Sequence, residues 1–161
     1  MNRLDTDELA RRLVERASER GATVCTAESC TAGLVAALIA EVPGASAVLR
    51  GGAVTYCDEV KQRVLGVDAA MLARETAVSR SCAAQMACGA RSLIGADMAV
   101  SLTGYAGPDG GTAADPAGTV YIGLADEEGV EVRRCSFDGG RNEVRRAAAR
   151  TALAWMLERL G

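Results

Sequence analysis

The chain has 161 residues, 49% of them apolar, 24% charged and only 3% aromatic, with a formal net charge of −3. That length and balance call for a single domain spanning residues 1–161 with a core built from Ala, Val and Leu. The longest apolar stretch, GLVAALIA, is too short to span a membrane, and the basic doublets Arg133-Arg134 and Arg145-Arg146 sit among carboxylates, so neither a membrane nor a nucleic acid is expected as a partner.

Residues 5–20 carry Leu9, Leu13, Val14 and Ala17 at helical spacing, and Gly21 follows as a helix-ending glycine. ATVCTA then reads as a buried strand, and AGLVAALIAEV as a helix whose Leu34, Leu38, Ile39 and Val42 share a face before Pro43-Gly44 ends it. SAVLRGGAVTY is a second strand interrupted by Gly51-Gly52, where a bulge or a close backbone approach belongs. DEVKQRVLG is a short helical stretch, and VDAAMLARETAVS a variable connection. Met86, Ala90, Leu93 and Ile94 mark another helix, DMAVSLT a strand, and GTVYIGLAD and VEVRRCSF a hairpin turning at EEG. A last helix runs from Asn142 to Leu160 with Val144, Ala148, Ala152 and Trp155 on one face. Strands that alternate with helices and close in a hairpin predict an α/β fold, a three-layer α/β/α domain with a mixed sheet.

Two absences narrow the chemistry. The six cysteines, at 25, 30, 57, 82, 88 and 135, form no C-x-x-C pair, and there is no histidine, so neither a disulfide framework nor a common zinc-ligand set is expected. The amino terminus is acidic where an export signal would be basic, which points to reduced thiols in the cytoplasm. Without histidine, a proton transfer near neutral pH must fall to another side chain. Of the eighteen basic residues seventeen are Arg and one is Lys, Lys61. An ammonium can lose its proton when buried, whereas a guanidinium effectively cannot. A solvated Lys on a helix face is the alternative, and composition does not separate the two.

Four segments can carry chemistry. TAESCTAGL sets Ser29, Cys30 and Thr31 at a strand-to-helix turn, where free amides and a positive dipole end would suit an anion or a developing oxyanion. Ser29 could be a nucleophile or, like Thr31, a cap; Cys30 lacks the imidazole that usually makes a thiolate. TYCDEVK brings Tyr56 to a strand end with Lys61 on the next helix, and a desolvated Lys can serve as general base to a Ser. Glu28, Asp58 and Glu59 could pair as acid and base, although carboxylates in such places more often cap helices. The loop TGYAGPDGGTAADPAGT, residues 103–119, follows a strand and is dense in Gly and Pro, but it matches neither G-x-x-x-x-G-K-[ST] nor G-x-G-x-x-G. In FDGGRNEVR, glycines, a helix start and Arg141 could seat a phosphate.

Taken in order and spacing, TAESCTAGL, GGAVTYCDEVK, AVS, TGYAGPDGGT, PAGTVYIGLA and FDGGRNEVRRAA resemble the CinA carboxy-terminal domain family, over residues 5 to 160. Stand-alone members of that family are nicotinamide mononucleotide amidohydrolases. The resemblance implies hydrolysis of the carboxamide of nicotinamide mononucleotide to nicotinate mononucleotide and ammonia, with no metal or redox cofactor. It places the family's catalytic Ser and Lys on Ser29 and Lys61, and its other polar site positions on Tyr56, Thr103 and Arg141. Thr31 would then cap the helix and Cys30 line the turn, both beside the substrate, while Gly104, Gly107, Gly110 and Gly111 let backbone approach it. The small-molecule substrate is the expected partner, together with further copies of the chain in a homo-oligomer. The alternative is a non-catalytic nucleotide- or partner-binding module linked to DNA uptake. Three positions depart from the family pattern: Ala32 stands where Gly is usual, Tyr105 where a small aliphatic is, and Ala117 where Val is common. Longer members also carry an amino-terminal domain resembling molybdopterin-binding enzymes, for which this chain leaves no room.

Overall fold

The computed structural model describes residues 5–161. In chain order the elements are α1 (Thr6–Arg20), β1 (Val24–Glu28), α2 (Leu34–Ala40), β2 (Leu49–Val54), α3 (Asp58–Leu65), α4 (Ala69–Glu75), α5 (Arg80–Ile94), β3 (Met98–Gly104), β4 (Thr119–Asp126), β5 (Gly129–Ser136) and α6 (Arg141–Leu160). The strands form one five-stranded sheet in the order β2-β1-β3-β4-β5. β1 runs parallel to both β2 and β3, and the β4–β5 hairpin closes the sheet antiparallel, giving the mixed α/β arrangement expected.

Alternation along the central strands builds the layers. Val24, Val100 and Leu102 face one core with α1, α2 and α6, while Cys25, Ala27 and Ala99 face another with α3, α4 and α5. Every residue of β1 is therefore buried, as a strand covered on both faces must be. Asp5 caps α1 by accepting from Thr6 N–H, and Gly21 ends it in the left-handed conformation that glycine adopts without steric cost. Where α5 crosses the end of α3, a Cβ at Gly89 would lie 2.0 Å from the Leu65 carbonyl oxygen. Only glycine allows that approach, and it lets α5 pack against the end of α3.

The structure corrects three points of the sequence reading. The connection after α3 contains a helix, α4, whose first turn is capped by Asp68 accepting from Ala70 and Met71 N–H and whose Met71 and Leu72 are buried. Seven residues with two inward apolar side chains give too little periodicity to announce a helix. The helix α2 is shorter than expected, and Val35 and Ile39 are its buried residues, with Leu34, Leu38 and Val42 only partly covered. On α5 Leu93 is 60% exposed, while Met86 and Ala90 face the core.

Candidate active site

β1 and β2 end at the same level of the sheet, and the chain leaving each is pinned to its neighbours. Thr55 N–H donates to Glu28 O at 2.9 Å, and Ser29 N–H to Leu102 O at 2.9 Å, so the ladders continue past the strands and fix Ser29 between two partners. From Thr55 the chain turns into α3, whose first turn carries Asp58 and Glu59 and whose Lys61 points back into the protein. Lys61 Nζ lies 2.9 Å from Ser29 Oγ and donates to Thr55 O, also at 2.9 Å. Ser29 and Lys61, 32 residues apart in sequence, thus meet because two parallel strands end side by side.

Lys61 is 2% exposed and neither of its partners is a carboxylate. Burial pulls its pKa below the ordinary lysine value, with Cys82 and Asp58 opposing the shift. Cys30 goes the other way: burial pushes its thiol up to about 11, against partial relief from its own backbone N–H and from Arg145 and Lys61. A thiol so raised is protonated at neutral pH and is a poor nucleophile. Cys82 is pushed up to about 11 and Cys25 to about 12, again by burial first.

The turn after Ser29 differs from the expected free helix amino terminus. The carboxylate of Glu28 accepts from Val35 N–H at 2.9 Å and Ala36 N–H at 3.1 Å, and Leu34 N–H donates to Thr31 O, so the first amides of α2 are all taken. Glu28 is the cap of α2 and Thr31 is not: the N-cap position is Gly33, and the buried Thr31 hydroxyl has no hydrogen-bond partner among the described residues. Ala32 and Gly33 both have positive φ, 51° and 94°, which swings the chain out of the strand and into the helix. Ser29 O accepts from Ala32 N–H, and across the same trans peptide the Cys30 N–H points the other way, where no backbone carbonyl of the described residues accepts from it.

A cavity of about 180 Å³ opens beside Ser29, lined by Ser29, Cys30, Tyr56, Gly104, Tyr105, Ala106, Gly107, Asp109 and Arg141. It unites Ser29, Cys30, Tyr56, Gly104, Gly107 and Arg141 of the expected residues, with Lys61 behind Ser29. Thr103 is not in it: its hydroxyl donates to Ala77 O at 2.7 Å. Thr31, Gly110 and Gly111 are not in the lining either, and Gly111 serves the loop, since a Cβ there would lie 2.6 Å from Ala117 N. At Gly104 a Cβ would lie 2.5 Å from Thr119 O, so the wall of the cavity needs glycine at that point. The loop is tied down by its own contacts: Gly118 N–H donates to Tyr105 O, Tyr121 OH and Arg134 both donate to Asp115, and Arg134 also donates to Ala114 O.

At the rim, Arg141 donates to Tyr56 OH at 2.7 Å and to Gly107 O at 3.0 Å. At the start of α6 the Glu143 carboxylate accepts from Gly140 N–H, and Arg141, the cation of the expected phosphate seat, lines the cavity. Sequence reasoning passed over Asp109 in the cavity wall and Arg145, which donates to Cys30 O and Thr31 O. A depression of about 520 Å³ lies at the opposite end of the sheet, but Arg159 there is paired with Asp126 and Glu131, and Arg91 with Asp97 O. Among the described residues no three Cys, Asp or Glu side chains are grouped to hold a metal ion, and no helix is long and apolar enough to cross a membrane.

The profile of the CinA C-terminal domain matches residues 6–160. A CinA-like protein of Geobacter sulfurreducens is 49% identical over 142 residues, 88% of this chain and 34% of that protein. One of Citrifermentans bemidjiense is 47% identical over 152 residues, 94% of this chain and 37% of that protein. The chain thus spans about a third of the length of these curated relatives. Among solved structures, a competence-damaged protein (CinA) superfamily protein of Klebsiella pneumoniae superposes with a TM-score of 0.94 at 39% identity, covering 98% of each chain. The competence/damage inducible protein CihA of Agrobacterium tumefaciens does so with a TM-score of 0.90 at 43% identity, covering 99% of this chain and 98% of that one.

Proposed function

The chain belongs to the CinA C-terminal domain family, and from that membership and the buried contact between Ser29 and Lys61 we propose that it is an amidohydrolase acting on nicotinamide mononucleotide. One observation carries the reading: the single lysine of the sequence is buried, unpaired with any carboxylate, and 2.9 Å from a hydroxyl at the wall of a cavity. A lysine whose pKa is lowered by burial can take a proton from serine, which a solvated one does poorly.

In the proposed mechanism neutral Lys61 accepts the Ser29 proton as Oγ attacks the carboxamide carbon. The Cys30 N–H donates to the oxyanion, a role that preorganised backbone amides fill in acyl transfer. The protonated Lys61 then gives its proton to the departing amine, which leaves as ammonia, and an acyl ester remains on Ser29. Water, deprotonated by the same lysine, hydrolyses the ester and restores the serine. Arg141 at the rim supplies a guanidinium for the phosphate of the nucleotide, and the chain's own residues provide every group the scheme uses.

Ammonia release from nicotinamide mononucleotide by the purified protein, with Ser29→Ala as control, tests the proposal. Turnover that the substitution abolishes is the expected result. Binding of the nucleotide without any ammonia would overturn it in favour of a non-catalytic nucleotide-binding module.

A further inference from the structure

Arg145 takes no part in the mechanism above and does not line the cavity, yet it is bound to the catalytic turn. It stands in the second turn of α6, half-buried, with Nε 3.0 Å from Cys30 O and Nη2 3.0 Å from Thr31 O. Its remaining contact is Nη1 to Asn142 Oδ1 at 3.1 Å, so no carboxylate among the described residues neutralises it and the guanidinium fork is directed at two successive peptide carbonyls. Those contacts cross more than a hundred residues of sequence and tie one helical layer to the end of the central strand.

The consequence lies in the geometry of Cys30. Two peptide planes flank it, and both are pinned: Ser29 O by Ala32 N–H at 3.1 Å, and Cys30 O by Arg145. With both planes held, the direction of the Cys30 N–H is fixed, and Cys30 itself lines the cavity. The residues after it need the restraint, because Ala32 sits at φ 51°, a left-handed conformation that a residue with a Cβ adopts only when its surroundings impose it. Arg is suited to the task and Lys is not, since one planar fork reaches two acceptors at once.

We infer that Arg145 is a positioning residue for the amide hydrolysis proposed above: it holds the turn so that the Cys30 N–H meets the oxyanion, and it touches neither the substrate nor Lys61. The inference rests on the reading of Ser29 as nucleophile.

Arg145→Ala should lower kcat by about 10- to 100-fold, less than the 100- to 1,000-fold lost with an entire oxyanion donor, and leave KM within about threefold. Guanidinium ion at non-denaturing concentration should restore part of that kcat, and sodium chloride at equal ionic strength should not. Arg145→Lys, which keeps the charge and reaches one carbonyl, should fold and give an intermediate kcat, so the test survives if the alanine variant does not fold. Labelling of Ser29 by a fluorophosphonate, whose adduct places an anionic oxygen in the same position, should slow in parallel with kcat. Wild-type kcat in folded Arg145→Ala or Arg145→Lys protein, or a loss confined to the melting temperature, overturns the inference while Ser29 stands. Turnover retained by Ser29→Ala, or label found elsewhere than on Ser29, overturns the nucleophile reading and the inference with it.

Discussion

Lys61 and Arg141 approach one cavity from opposite helical layers and meet different surroundings there. Lys61, on α3, is 2% exposed and bonded to a hydroxyl and a backbone carbonyl. Arg141, at the start of α6, is exposed and bonded to Tyr56, itself 57% exposed, and to Gly107 O in the loop. Burial penalises charge, so the inner cation is poised to lose a proton, whereas the outer one keeps its charge in water. In the proposed mechanism the same formal charge would thus serve proton transfer at the dry end and anion recognition at the wet end. The difference also accounts for the lysine inside, since an arginine there could never act as a base.

The strongest way to break that contrast is to put an arginine at the dry end. Lys61→Arg keeps charge and approximate length but removes the ability to accept a proton, so kcat should fall by roughly 100- to 10,000-fold, the usual worth of a positioned base. Circular dichroism must show the variant folded, and a kcat within about threefold of wild type would remove Lys61 from the mechanism. The pH profile sharpens the point. Because the folded pKa lies below that of a free lysine, kcat/KM should rise with pH as Lys61 deprotonates and level off above its pKa. Stability should follow the same sign, since between the folded and unfolded values the unfolded chain binds more protons and unfolding becomes harder as pH rises. A kcat/KM profile without that rising limb would contradict the base assignment.

At the wet end the expected effect is smaller and falls on binding. Arg141→Ala removes a charge-assisted fork that would be worth roughly 1.5 to 3 kcal/mol to a phosphate, equivalent to about a 10- to 150-fold rise in KM. Any weak activity on the riboside, which has no phosphate, should hardly change. Equal losses on both substrates would show Arg141 acting through Tyr56 and the loop it touches, and the phosphate would have to be seated elsewhere.

How far the sequence disclosed these two ends depends on how local each signal is. The contrast between one lysine and seventeen arginines marked Lys61 before any contact was known, and the strand-turn-helix pattern marked Ser29. Their meeting required two parallel strands to end together, which short buried strands imply only once the sheet order is known. Glu28 was legible as a carboxylate at a helix start, but it caps α2 from seven residues upstream, beyond the usual capping distance. Thr103 was assigned to the site from motif position, yet its strand register turns the hydroxyl to Ala77 O in the other layer. Arg145 was hidden among seventeen arginines, because its pairing with Cys30 and Thr31 carbonyls leaves no trace in the side chains of either.

The smallest expected effect probes the turn that joins the two ends. Ala32 is exposed, at φ 51°, and makes no side-chain contact that its position requires, so its Cβ contributes strain and little else. A left-handed residue with a Cβ costs roughly 1 to 2 kcal/mol, and glycine returns roughly 0.5 to 1 of that in unfolded-chain entropy. Ala32→Gly should therefore stabilise the protein by about 0.5 to 1 kcal/mol, raising the melting temperature by about 1 to 4 °C in a chain of this size. Because Arg145 and the Ser29 O contact to Ala32 N–H still pin the planes around Cys30, kcat should stay within about twofold, well short of the loss from a missing oxyanion donor. A higher melting temperature with a tenfold lower kcat would mean that the strain at Ala32, and not the arginine, holds the Cys30 N–H in place. Thermal unfolding and steady-state kinetics on this one variant therefore separate restraint by side-chain contact from restraint by backbone strain.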